Sequence, residues 1–336
     1  MTMKIAVFGS GLIGTYVGGS LRAAGADVVL IGRARMRQHI VEHGLVLTDL
    51  HKRRIGLTAA DVPFALTPES LADADLILVT VKSSTTAEAA DVIARHARPN
   101  ALVLSLQNGI GNAATLQNAL PNNVVLAGMV PFNVVQTPDH RLHRGSDGEV
   151  MVESSLSLAP WSPLFAAASL PLLQRDDFVA VQWGKLLLNL NNSINALSNL
   201  PLKTQLSQRA YRRCLALLVD EALMALARAG IAPAQVTRIA PRRLPLLLRL
   251  PDFLFTRIAA QLLRIDPEAR SSMADDLQAG RLTEIDYLNG AVFALAAAHG
   301  GDAPANRRMV GLVRQAESGS PSRYDGAKLL RLLQHD

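Results

Sequence analysis

The feature that most constrains the fold lies at the start of the chain. An apolar run, Lys4–Phe8, passes directly into Gly9-Ser10-Gly11-Leu12-Ile13-Gly14, and a helical pattern rich in small residues follows over residues 12–24. A strand that ends in a glycine-rich turn and opens at once into a helix is the first half of a βαβ unit. Each glycine has its own task in such a turn. Gly9 permits the tight bend, Gly11 lets the backbone approach a pyrophosphate, and Gly14 lets the helix settle close to the sheet. The pyrophosphate is held by the free N–H groups and the positive dipole end of the helix. Residues 9–14 are therefore the candidate dinucleotide-binding turn.

The alternation continues. Asp27–Ile31 and residues 76–81 and 101–106 have strand patterns, and residues 35–43 and Thr86–His96 have helical ones. This order predicts a parallel, doubly wound sheet of Rossmann type. Residues 141–153 have a hairpin pattern with Ser146-Asp147-Gly148 as the turn, an antiparallel addition that closes the sheet. Beyond Phe178 the strand signal ends. Helices are predicted over residues 181–198, 208–229, 271–279 and 284–299, with a last short helix after the polar stretch that begins at Ser318. The expected architecture is an α/β N-terminal doubly wound domain over residues 1–178 and an all-α C-terminal domain over residues 179–336. A chain of 336 residues with 49% hydrophobic composition can fill two cores.

Composition narrows the function. Cys214 is the one cysteine, so there is no internal disulfide or cysteine-rich metal site, and a reducing cytoplasm is expected. No charged leader with a cleavable apolar stretch opens the chain, and no metal site is expected. The net charge is +6, but the arginines are scattered, which argues against nucleic acid and for attraction of an anionic small molecule. Residues 244–263 are apolar yet interrupted by Arg249, Pro251, Asp252 and Arg257, which excludes a membrane span. They predict two short buried helices that fill the core, cover a cleft or form the seam of a homodimer.

Further candidates stand at strand ends, where open α/β sheets bind ligands. Arg33 occupies the place at the end of the second strand where an NAD site carries a carboxylate, and Arg35 and Arg37 follow. A guanidinium can bind a 2′-phosphate bidentately, so the cofactor is NADP(H) rather than NAD. Lys82 reaches the cofactor or stays solvated. Asn108, before Gly109, points into a cleft or simply makes a turn.

In the helical half, Lys185, Asn189, Asn192 and Ser193 fall on one helical face in an otherwise apolar segment. Such a stripe lines a cleft, and partial burial would lower the lysine pKa and suit it to proton transfer. A structural lysine with a buried stem fits the same spacing. Further on, Thr283 and Asp286 form a candidate capping box, with Glu284 in the first turn of the helix that follows.

Taken together, these segments resemble the ketopantoate reductase family. The resemblance rests on Gly9–Gly14, the Asn108-Gly109 turn, Lys185 with Asn189 four residues on, and Ser271-Ser272-Met273 with Thr283-Glu284-Ile285-Asp286-Tyr287-Leu288-Asn289-Gly290. It covers residues 3 to about 317. It implies reduction of 2-dehydropantoate to pantoate, with Lys185 as general acid and Glu284 positioning lysine and substrate. Asn108 and Asn189 would bond the reacting groups, and Ser272 the substrate carboxylate. Ser193 stands where the family often has another asparagine and joins the substrate-binding candidates. Ile194, Leu202-Lys203 and residues 129–133 also depart from the pattern, which bears on the identity of the keto acid. A reductase of a different keto acid, or a non-catalytic NADP(H) sensor, is the alternative.

Overall fold

In the computed structural model, which describes residues 3–258, 269–319 and 323–334, the opening motif forms β1 (Lys4–Phe8) and α1 (Leu12–Ala23). It belongs to the first of two compact units, Met1–Phe178 and Val179–Asp336. The first unit continues through β2 (Asp27–Ile31), α2 (Ala34–His43), β3 (Leu45–Asp49), β4 (Arg54–Leu57), β5 (Phe64–Ala65), β6 (Leu76–Val79), α3 (Thr86–His96), β7 (Leu102–Ser105) and α4 (Asn112–Ala119). Next come β8 (Val125–Met129), β9 (Val134–Gln136), β10 (Leu142–Arg144), β11 (Val150–Glu153), α5 (Ser162–Ala167) and β12 (Leu172–Arg175).

Eight strands form one sheet in the order β12-β11-β8-β7-β6-β1-β2-β5. The pairings from β8 to β5 are parallel, as the βαβ alternation requires. Residues of β6, β7 and β8 are buried on both faces, which explains why these strands are continuous apolar runs rather than alternating ones.

The hairpin expected over residues 141–153 does not form. Its first arm, β10, lies in a separate four-stranded sheet of order β4-β3-β10-β9, parallel to β3 and antiparallel to β9. Its second arm, β11, joins the large sheet antiparallel to β8. The chain changes sheets between them, and Arg144 bridges the crossing by donating to the carbonyls of Ser146 and Gly148 at 3.2 and 2.7 Å. Alternation identifies a strand but not its partner, and the partners β3, β8 and β9 carry weak signals of their own.

All described elements of the second unit are helical: α6 (Phe178–Asn189), α7 (Asn191–Ser198), α8 (Leu202–Ser207), α9 (Arg209–Arg228), α10 (Leu244–Leu248), α11 (Asp252–Ile258), α12 (Ser272–Gln278), α13 (Ile285–Ala298), α14 (Pro304–Glu317) and α15 (Gly326–Gln334). The helix predicted over residues 181–198 is thus two, broken at Leu190. Residues 259–263 of the apolar stretch lie outside the described residues. Its described part does form two helices around Pro251, but each is buried on one side only: Leu248 and Phe255 are core, whereas Leu246, Phe253 and Ile258 are 67%, 72% and 61% exposed.

Arg212 of α9 organises this corner. Its side chain is wholly buried, and it donates to the carbonyls of Leu206, Ser207, Leu248 and Leu250 at 2.8–3.3 Å. These are the loose carbonyls where α8 and α10 end, so one guanidinium caps two helices. Its plane also lies over the Phe255 ring at 4.1 Å, and it pairs with Asp252, which is 60% exposed. Arg212→Met strands four carbonyls and should lower unfolding free energy by about 3 kcal/mol or more. Asp252→Ala, which removes only the solvent-screened partner, should cost well under about 1 kcal/mol. Urea denaturation of both variants checks this, and equal losses would mean that the ion pair, not the helix capping, holds the corner.

Candidate active site

The glycine turn is built by close approach. Gly9 has φ +110°, and a side chain there would meet Val81 N at 2.6 Å. A side chain at Gly14 would lie 2.4 Å from Thr80 Oγ1, and that hydroxyl donates to the Gly9 carbonyl at 2.8 Å. Gly11 differs: it is exposed, and a Cβ there would meet nothing within 4 Å. Helix α1 starts at this open space with no side-chain cap and no acidic residue in its first turn. Leu12 and Ile13 turn their side chains to the core, and Ser10 Oγ bonds the Ile31 carbonyl at 3.0 Å. Ser10 and Gly11 N–H already donate to the carbonyls of Ile31 and Gly9, at 3.0 and 2.7 Å, so what the turn offers outward is the backbone N–H of residues 12–14, a cradle for a phosphate. Arg33 sits at the N-cap of α2, exposed, with no side-chain partner among the described residues. Arg35 and Arg37 are also exposed.

A buried network, not foreseen from the sequence, fixes the turn after β7. Ser83 Oγ and Asn112 Nδ2 both donate to the Asn108 carbonyl, at 2.7 and 2.6 Å. Thr86 Oγ1 donates to Asn112 Oδ1 at 2.7 Å, and Gln107 Nε2 donates to Thr86 Oγ1 at 2.7 Å. Asn108 itself is only half-buried. Lys82 is half-buried at the start of the next short turn. The signal for the network was present as a run of uncharged polar residues, but only the fold brings 83–86 beside 105–112.

In the second unit, Lys185 lies on α6 directly after Gly184. A Cβ at Gly184 would sit 2.2 Å from the Ala234 carbonyl, so glycine is what lets the 234 segment press on this helix. Lys185 keeps part of its surface in solvent, yet the protein around its ammonium pushes the pKa down to about 8. Desolvation is the cause, and the Glu284 carboxylate opposes it, which places Glu284 within electrostatic reach. Glu284 is the N-cap residue of α13 rather than part of its first turn. The expected capping box is absent: Thr283 Oγ1 accepts from Ile285 N–H at 3.3 Å, while Asp286 pairs with Arg314 at 2.8 Å.

Asn189 and Asn192 are half-buried, but Ser193 is wholly buried and donates to the Leu190 carbonyl at 3.0 Å. That bond sets its hydroxyl at the helix break between α6 and α7. Ser272 is exposed at the first turn of α12. Asn195, which sequence reasoning did not single out, holds that segment: its Oδ1 accepts from Ser271 N–H at 2.9 Å. Ser271 Oγ in turn donates to the Asn192 carbonyl at 3.2 Å. Asn289 of the late motif is structural, donating to Asn306 Oδ1 at 3.0 Å between α13 and α14.

Comparison with known proteins matches both units to one family. The model "Ketopantoate reductase PanE/ApbA" matches residues 5–155, and its C-terminal counterpart matches residues 177–317. A 2-dehydropantoate 2-reductase of Halobacterium salinarum is 28% identical over 323 residues, covering 94% of this chain and 99% of that protein. The crystal structure of a PanE/ApbA family ketopantoate reductase from Ralstonia eutropha is 32% identical with a TM-score of 0.79, over 94% of this chain and 99% of that one. A D-mandelate dehydrogenase solved with NADH and anilino(oxo)acetate shares the fold at 21% identity, with a TM-score of 0.76 over 94% of this chain and 99% of that one.

The glycines separate binding from folding. Gly11→Val adds bulk only to open space, so the protein should fold with an unchanged melting temperature while NADPH binding is lost. Gly14→Val drives a side chain into Thr80 and should destabilise by about 1–3 kcal/mol or more. Thermal melts and NADPH fluorescence titrations on both variants check the contrast. Normal NADPH affinity in Gly11→Val would make the turn purely structural.

Proposed function

Because this chain belongs to the ketopantoate reductase family, we propose that it reduces a 2-keto acid, 2-dehydropantoate, to the 2-hydroxy acid with NADPH. The observation that carries the reading is Lys185, an ammonium with its pKa drawn to about 8 beside Glu284. A sensor that only held a nucleotide would gain nothing from a half-desolvated lysine. The first unit fits the cofactor: Gly11 leaves room, the uncapped start of α1 meets the pyrophosphate, and the exposed Arg33 suits a 2′-phosphate.

When bound, NADPH supplies the hydride that the keto carbon accepts. Lys185 gives a proton from Nζ to the keto oxygen, so that C=O becomes CH–OH and the lysine is left neutral. It regains its proton from water. Glu284 favours the charged lysine beforehand and orients it. Ser272 is assigned to the substrate carboxylate, and Asn108 and Asn189 to the reacting groups. Lys82 is assigned to the cofactor.

Two of the sequence departures weigh less against 2-dehydropantoate than their positions suggested. Ser193 is sealed inside its helix, and Phe132 is core, edge-on to Tyr16 at 5.9 Å and under Arg144 at 4.2 Å. Leu202-Lys203, at the start of α8, is the departure that still bears on specificity. A dimer is also proposed, with the exposed apolar side of α10 and α11 as its seam; a Staphylococcus aureus ketopantoate reductase is described as dimeric. No described helix is long and apolar enough to cross a membrane, and the buried thiol of Cys214 suits the cytoplasm proposed here.

A panel of 2-keto acids, followed by NADPH oxidation, tests the substrate; a turnover preference for another keto acid would overturn it. Arg33→Asp should weaken NADPH by about 1–3 kcal/mol and NADH far less. Lys185→Met should lower kcat by about 10²–10⁴-fold with NADPH affinity nearly unchanged. In the wild type the acid must be protonated, so kcat/KM should fall as pH rises through about 8, and the variant should lack this limb. Stability runs the other way. A folded-state pKa below the unfolded one means the charged lysine opposes folding below about pH 8. Lys185→Met should therefore hold or raise the melting temperature at pH 7, whereas a lysine with a structural role would lower it and leave kcat within a few-fold.

A further inference from the structure

Three histidines of the first unit meet at a place the reductase chemistry does not use. His39 and His43 are four residues apart on α2 and so share a face. His140 lies in the turn between β9 and β10 with φ +66°. The His43 and His140 rings stack at 3.8 Å, and His39 lies 5.2 and 5.8 Å from them. One ring nitrogen from each residue falls within 4.8 Å of those of the other two.

His39 carries the decisive detail. Its Nε2 is sealed from solvent and makes no hydrogen bond of good geometry among the described residues, although the His140 main chain lies close enough to interact with the ring. Its Nδ1 faces the Gln136 side-chain amide at 3.3 Å. A buried ring nitrogen without a hydrogen bond of good geometry costs free energy that a bound ion would recover. A metal-binding imidazole typically donates its other N–H to an oxygen nearby. Turning the Gln136 amide so that Oε1 meets Nδ1–H makes that bond and leaves the lone pair on Nε2 for a metal.

We propose that His39, His43 and His140 bind one divalent first-row transition ion, zinc in the first instance, with water completing the shell. Zinc–nitrogen bonds of about 2.0–2.1 Å need the three nitrogens drawn closer than they stand. The mobile partners are the right ones: His43 and His140 are exposed and can swing out of their stack, while His39 is held by Gln136. Zinc has no geometric preference of its own and accepts such a shell. Once bound, the ion ties the last turn of α2 to the β9–β10 turn and so acts as a structural staple.

The test uses the full chain stripped of metal, with zinc ion titrated against a chromogenic chelator and melting curves recorded with and without zinc. One equivalent should bind at micromolar zinc and raise the melting temperature by several degrees. His39→Ala and His140→Asn should each weaken binding by about tenfold or more and remove the thermal shift. Asparagine tolerates the left-handed backbone at 140, so an unaltered zinc-free melting curve shows that this variant is folded. His51→Ala and His299→Ala should change neither readout. Absence of binding at micromolar zinc, or equal binding by the His39 and His140 variants, overturns the proposal.

Discussion

The first unit depends on one contact, the approach of α1 to the end of β6. Thr80 Oγ1 bonds the Gly9 carbonyl, and no atom beyond Cα fits at Gly9 or Gly14. That absence of side chains sets the angle at which α1 leaves the sheet. The angle in turn aims the free N–H groups of the helix start, and binding of an anion there follows from backbone alone. Fold and function meet in the same few atoms, which is why the turn tolerates so little change.

How much of this was legible in the sequence varied with how local the cause was. The glycine turn, β1, β2 and α3 were legible because periodicity and turn chemistry act within a few residues. The one-face placement of Lys185 and Asn189 was legible for the same reason. Partners were not. The residue-141 strand joined the small sheet because β3 and β9 receive it, and nothing near 141–153 encodes them. The supposed capping box failed because the helix starts one residue later than the pattern suggested, with Glu284 at the N-cap, which leaves Asp286 free to pair with Arg314. Ser193 shared a helical face with Lys185 on paper, but the break at Leu190 turned its hydroxyl inward. The polar residues around Asn108 looked like an ordinary turn until the fold set 83–86 beside them.

Lys185 shows the opposite side of the same economy. Gly184 brings the Ala234 carbonyl against its helix, and burial makes the ammonium unwelcome. A lysine selected for stability alone would be solvated or replaced by methionine. Arg212 is the instructive contrast, since it is buried more completely yet meets four carbonyls and a carboxylate. A buried cation with its hydrogen bonds filled by carbonyls stiffens a fold, and one whose pKa desolvation has drawn down to about 8 is poised to give up its proton.

The small sheet also carries a history. Its β3–β4 pair closes over a short loop, with Leu45 opposite Leu57, and can form early. Its β10 strand pairs with β3 across almost a hundred residues, Leu142 meeting Leu47 and Thr48 Oγ1 bonding His143 Nδ1 at 2.9 Å. Much of the large sheet is encoded between those two partners, so the loop that must close is long and most of it is itself folding. Contacts of that span arrive late and slowly. Until they do, one edge of β3 waits unpaired, and the chain is briefly a template for another like itself.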